Sequence, residues 1–269
     1  MRGSVNVILD YSSISDIDGK NGLLSYCGTP IDKFVNKKYI EVAFLLYHGR
    51  YPTKNERDFA LEQYRIGQEC ARVVAGLMDK IFLACPSPIK FILSLVPLFQ
   101  QQSLSQNVSQ WSLGLQLQGF VSAAIGRHAI LARGEHEFRS KIKQSLPEWM
   151  LEALTGRSSS QTEKKAIESL FVMLAECITN PGTFAARIAT STDADYASSV
   201  VAALAVFSGS KHGGATDNVM AMINDIGSPS YSTDWVKTAQ HEKRPVPGFG
   251  HRVFQVPDPR AALSQTWAL

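Results

Sequence analysis

The 269-residue chain is 45% hydrophobic and 19% charged, enough apolar content to bury a sizeable core in one large or two smaller domains. Its formal charge of +3 comes from scattered basic residues, which argues against a nucleic-acid partner. The longest apolar stretches, 91–99 and 200–207, are roughly half the ~20 residues of a membrane-spanning helix, and Pro97 interrupts the first, so no membrane segment is predicted.

Cys27, Cys70, Cys85 and Cys177 stand singly, with no Cys-x-x-Cys pair. That spacing predicts reduced thiols and no zinc site, and hence a cytoplasmic protein, with the mitochondrial matrix as an alternative. The first residues, with one Arg and a short apolar step at Val5–Leu9, fail as a secretory signal. Asn107-Val108-Ser109 matches the glycosylation triplet, but the compartment argues against its use.

In chain order, Val5–Leu9, Ser15–Asp18 and Leu23–Tyr26 are short β-compatible pieces set in Gly-rich punctuation, which predicts a hairpin-like lead-in. From Pro30 the spacing turns helical, with Ile31, Phe34 and Val35, then Val42, Leu45 and Leu46 before a stop at Gly49. Thr53 and Glu56 have the spacing of a capping box that opens another helix. Helical patterns follow around Ile89–Val96, Leu113–Ala132, Trp149–Leu154, Ala166–Cys177, Phe184–Ala189 and Ala197–Phe207, several of them Ala-rich enough for close packing. Ser158–Ser160 is a surface loop leading into a helix start. The predicted fold class is all-α. Near the end, the Gly-rich loop 208–214 precedes a helix bearing Val219, Ile223 and Ile226, and a second loop, 244–252, precedes Pro257-Asp258-Pro259-Arg260. Such loops are where function is sought.

His212 stands before two glycines and a helix start, where the helix dipole disfavours the imidazolium. A neutral imidazole there can donate a hydrogen bond to a carbonyl oxygen and stabilise an enol, although a histidine in a Gly-rich surface turn has the same local pattern. His251 is bracketed by Gly248 and Gly250, which permit close backbone approach to a ligand. Arg260 offers a planar fork suited to a carboxylate, with an ordinary ion pair to Asp258 as the structural alternative.

Together these segments resemble one family. The stretches 208–215, 247–253 and 258–261 are similar, in order and spacing, to the signature loops of citrate synthases and 2-methylcitrate synthases. Upstream, Ile17-Asp18-Gly19, Gly28-Thr29-Pro30, 41–46 and Thr183-Phe184-Ala185-Ala186-Arg187 resemble other parts of the family, so the resemblance runs from Ile14 to Ala261. It implies an almost wholly helical homodimer, with a large domain, here 1–211, and a smaller, incomplete one, 212–269. It also implies condensation of an acyl-CoA with oxaloacetate, followed by thioester hydrolysis. His212 and His251 would be the catalytic pair, on the thioester oxygen and the keto acid's carbonyl, and Arg260 would bind a carboxylate of that acid. The backbone at Val246, Gly248 and Gly250 would lie against CoA. CoA is a co-substrate, and neither a metal nor a tightly bound cofactor is implied.

Two departures qualify this. Cys177 stands where the family has a histidine that binds the keto acid, and a thiol does not donate as an imidazole does. The family's catalytic carboxylate has no counterpart in the sequence, which predicts impaired chemistry. Asp217, Glu176, Glu242 and Asp258 are the nearby carboxylates, each with an ordinary reading as cap, ion-pair partner or solvated charge. The alternatives are a non-catalytic binding or regulatory homologue and, further off, a lyase cleaving a citryl-type thioester.

Overall fold

The computed structural model describes residues 12–99, 108–137, 142–143, 145–178, 180–210, 212–251 and 253–267. Val5–Leu9, Asn107, Lys211 and Arg252 lie outside the described residues. The architecture is all-α apart from one small sheet, as the periodicity predicts.

The lead-in is an antiparallel sheet in the order β1 (Ser15–Asp18), β2 (Leu23–Tyr26), β3 (Thr29–Pro30). In its register Ser15 faces Tyr26 and Asp18 faces Leu23. Strand alternation turns Leu24 and Tyr26 inward while Leu23 stays exposed. Helix α1 (Tyr39–His48) follows and ends at Gly49 in the left-handed conformation, φ 71°. Its N-terminus is met by the buried Glu168, which accepts from the Tyr39 N–H at 2.8 Å and also from the Ser145 hydroxyl.

Helix α2 (Lys54–Val73) opens on the predicted capping box. Thr53 Oγ1 accepts from the Glu56 N–H, and Glu56 accepts from the Thr53 N–H at 2.8 Å. It buries Ala60, Tyr64, Gly67 and Ala71, spaced by three or four residues, against α5 (Gln110–Ala132). Two glycines set how closely they cross. A Cβ on Gly67 would stand 1.8 Å from the Gln116 carbonyl oxygen, and one on Gly119 would stand 2.1 Å from that of Tyr64. Backbone thus lies on backbone, and Gln116 reaches across to Gln63 at 2.7 Å. α3 (Ala75–Ala84), α4 (Pro88–Leu95) and α6 (Leu146–Thr155) complete this core around Phe91, Leu115 and Phe120.

α7 (Gln161–Met173) starts from a second capping box, Ser160 with Glu163. The sequence pattern runs on to Cys177, but the helix stops at Met173. Its last carbonyls, Val172 O and Met173 O, meet the Tyr26 hydroxyl at 3.0 and 3.2 Å, and Ile178 takes φ 44°. α8 (Pro181–Thr190) and α9 (Tyr196–Phe207) are capped by Asn180 and Asp195 and pack on each other.

α10 (Ala215–Ile226), α11 (Ser232–His241) and α12 (Pro259–Gln265) follow. Neither α3 nor α11 is marked out by the pattern, since α3 buries only Met78 and α11 only Ala239. α12 begins at the stiff Asp258-Pro259 pair: Asp258 is its N-cap and Pro259 its first residue. The segment leading into α12 returns to the sheet. Phe254 and Leu263 join the second core, of Leu24, Tyr26, Phe34, Val42, Val172 and Met173.

Candidate functional site

The loop between α9 and α10 is a run of tight turns. His212 N–H donates to Gly209 O at 2.9 Å, and Gly213 N–H donates to Phe207 O at 2.9 Å. A Cβ on Gly213 would fall 2.4 Å from the Phe207 ring, so the turn requires glycine there. The His212 ring is half-buried and meets Phe207 edge-on, centroids 5.2 Å apart. Its Nδ1 is buried without a hydrogen-bond partner among the described residues. On the other side it faces the start of α8, where a Cβ on Gly182 would lie 3.8 Å from its Cε1.

His251 follows Gly248 and Gly250, with φ of 86° and 83°. Its Nδ1 accepts two backbone N–H groups, from Val253 and Phe254, each at 3.0 Å. A ring nitrogen that accepts carries no proton, so the neutral ring holds its hydrogen on Nε2, as a donor. Val246 is half-buried, Gly248 rests on Val219 of α10, and Phe249 is exposed.

Arg260 is largely buried and bound to Asp258, Nε to Oδ1 at 3.0 Å and Nη2 to Oδ2 at 2.7 Å. This is the ion pair that the sequence offers as the alternative to a free fork. Burial favours the protonated Asp258 carboxyl, but Arg260's hydrogen bonds and charge outweigh it and hold the pKa below the usual value. Arg260 also reaches the Cys177 thiol. Burial pushes that thiol's pKa up, while Arg260's charge and hydrogen bond oppose the shift. Glu176 is half-buried, with its pKa raised by burial against the hydrogen bond from Ser15. Burial pushes Tyr26 up to about 12.

Of the sequence-predicted residues, Arg260 is bound to Asp258 and its charge bears on Cys177, while His251 lies in the same 251–260 segment and bonds to its own loop. His212 lies beside Gly182, and Val246 and Gly248 lie along α10. Sequence reading did not single out Tyr26 and Ser15, whose hydroxyls contact the chain on both sides of Cys177. Their only signal was strand alternation, which places a tyrosine hydroxyl on the buried face. A separate cavity of about 300 Å³, lined by Lys38, Tyr39, Arg57 and Glu168 among others, includes none of the predicted residues.

Comparison with known proteins matches residues 3–269 to the family model "Citrate synthase, C-terminal domain". The citrate synthase of Haloferax volcanii is 29% identical over 271 residues, covering 97% of this chain and 72% of that protein. A 2-methylcitrate synthase of Mycobacterium tuberculosis is 25% identical, covering 96% and 66%. In fold, the chain is similar to Thermoplasma acidophilum citrate synthase, solved as a ternary complex with carboxymethyl coenzyme A and oxaloacetate. The TM-score is 0.85 at 23% identity, over 96% of this chain and 69% of that one. A match along almost the whole chain, together with an all-α fold of the same shape, identifies the chain as a member of the citrate synthase family.

Proposed function

We propose that this chain binds an acyl-CoA and an oxaloacetate-like acid at the site above, with the condensation typical of its family impaired. The supporting observation is that Arg260, bound to Asp258 in the 251–260 segment, bears on Cys177, more than eighty positions earlier in the chain. In this reading Arg260 shifts its fork from Asp258 to a substrate carboxylate, a bidentate contact of the kind guanidinium favours. The Nε2–H of His251 donates to the keto oxygen, and His212 donates to the thioester oxygen, where negative charge grows as the enol forms. Val246, Gly248 and Gly250 offer backbone to the CoA nucleotide. CoA is a co-substrate, and the reaction calls for no metal.

Removal of the proton beside the thioester needs a free carboxylate within hydrogen-bond reach. Before substrate binds, Asp258 is held by Arg260, and Glu176 is half-buried against Ser15. This favours a second reading, a binding homologue with little turnover of its own. The proposed organisation is a large helical unit through residue 211 and a smaller one from 212, paired as a homodimer in the cytoplasm or mitochondrial matrix. No helix among the described residues is long and apolar enough to cross a membrane.

Calorimetry with CoA and oxaloacetate, beside thiol release from acetyl-CoA and propionyl-CoA, tests the proposal. Binding of both ligands with turnover below about 1 s⁻¹, the lower edge of ordinary enzymes, is the expected result for these 269 residues. Faster turnover would reject the binding-only reading, and failure to bind either ligand would reject the proposal.

A further inference from the structure

The sheet at the start of the chain touches both segments that build the Arg260 cluster, one at each end of its hairpin. At the open end, Ser15 and Tyr26 sit opposite each other in register. Tyr26 is fully buried. Its hydroxyl lies 3.0, 3.2 and 3.1 Å from the carbonyls of Val172, Met173 and Glu176 and accepts from the Glu176 N–H at 3.2 Å. Ser15 Oγ donates to Glu176 Oε1 at 3.3 Å and accepts from the Ile178 N–H at 3.1 Å. The two side chains thus hold the backbone on both sides of Cys177, in a stretch where Ile178 has the uncommon φ of 44°.

At the turn end, Gly19 O accepts from the Gln255 N–H at 2.8 Å. A Cβ on Gly19 would lie 2.2 Å from Val253 O, and one on Gly22 would lie 2.8 Å from Val256 Cγ2. The chain from 253 to 256 is therefore seated directly on the turn, between His251 and Arg260.

From these contacts we infer that the hairpin 15–26 is a positioning clamp that sets the Cys177 loop against the His251–Arg260 segment, with Tyr26 as its principal positioning residue. The clamp follows from the contacts alone, whereas its service to an oxoacid site rests on the function proposed above. Tyr26 and Ser15 act through the backbone at 176–178 and touch no substrate. A hydroxyl that accepts one N–H and shares its single proton among the carbonyls around it is an economical brace for a helix end and an irregular loop, because the last carbonyls of a helix have no partners within it. Tyr26→Phe keeps the ring against Phe34, whose centroid is 5.7 Å away, and removes only the brace.

The test is the rate at which N-ethylmaleimide modifies Cys177 in the full chain, followed peptide by peptide with Cys85 as the internal reference. Release of the loop opens Cys177 to the reagent, so Tyr26→Phe should speed its modification by about tenfold and Ser15→Ala by about threefold, with Cys85 unchanged. Gly19→Ala, at the opposite end, should also speed Cys177 because the hairpin works as one piece. Tyr39→Phe, which loses a hydroxyl contact to Gln118 elsewhere, should leave Cys177 at the parent rate. Should Tyr26→Phe not fold, Ser15→Ala and Gly19→Ala decide the question. Cys177 rates within twofold of the parent in the folded variants would overturn the clamp. Adding oxaloacetate to the parent protein separates the two ideas. Protection of Cys177 supports the oxoacid site, and absence of protection alongside faster labelling in the variants leaves the clamp standing and removes the oxoacid reading.

Discussion

Arg260 and Asp258 hold each other through three side-chain hydrogen bonds, with side chains only 16% and 20% exposed, and the charge of the same guanidinium bears on Cys177. A planar fork makes all of these contacts at once, and an ammonium cannot. Arg260→Lys should therefore weaken oxaloacetate binding by roughly tenfold while leaving CoA affinity near the parent value. Calorimetry with each ligand separately checks this, and equal losses for both would reject the assignment of Arg260 to the acid.

Two helical glycines, Gly67 at the α2–α5 crossing and Gly76 on α3, should respond to alanine in opposite ways. Gly67→Ala should destabilise the chain by about 1–3 kcal/mol through overpacking, more than the ~1 kcal/mol that alanine returns in helix propensity. Gly76, on α3, has open space where a Cβ would go, so Gly76→Ala should stabilise by about 0.5–1 kcal/mol. Thermal melts of both variants, moving in opposite directions, check this.

Glu176 supplies a pH signature. Burial raises its pKa in the folded chain above the ordinary 4.5. An acid shifted upward costs stability once the pH exceeds its unfolded value, and the cost disappears below that value. Glu176→Gln should therefore melt at a higher temperature than the parent at pH 7, with the gap closing as the pH falls below 4.5. A gap that widens on acidification would show the shift to be of the opposite sign.

Glu56 and Glu163 behave in the reverse sense. Hydrogen bonds from Arg50 and Arg157 respectively, together with those of the capping boxes, hold both carboxyls at about 2. Their contribution is complete above the ordinary value of 4.5 and is lost as the pH falls toward 2. Glu163→Gln should flatten the fall in melting temperature across that window.

The tautomer of His251 is open to direct observation. With two backbone donors on Nδ1, nitrogen-15 shifts should show the neutral ring protonated at Nε2. Protonation at Nδ1 would remove the keto-oxygen donor from the proposed mechanism.

The helices were legible where an apolar period met a cap. Thr53 with Glu56, Gly49 in its left-handed turn and the Gly-rich loop that precedes α10 all stand where the sequence sets them. α3 and α11 were not, because a helix that buries one residue carries little periodic signal. The end of α7 was misread because the apolar run continues past Met173, while the helix's last carbonyls are met by a hydroxyl nearly 150 positions away in sequence. For the same reason His251 and Arg260 could be recognised as chemistry-bearing residues, whereas the partnership of Arg260 with Cys177 and the bracing by Ser15 and Tyr26 depend on tertiary contacts.

The contact between Gly19 and Gln255 joins positions well over two hundred residues apart. During synthesis the strands emerge before the helices, and one side of their hairpin stays unoccupied until α1 to α11 have been made. Contacts of such long range close late, after the entropy of the intervening chain has been spent. The helical core can thus be complete while the Arg260 cluster is still unassembled, so that in refolding a helical signal should recover before oxaloacetate can be held.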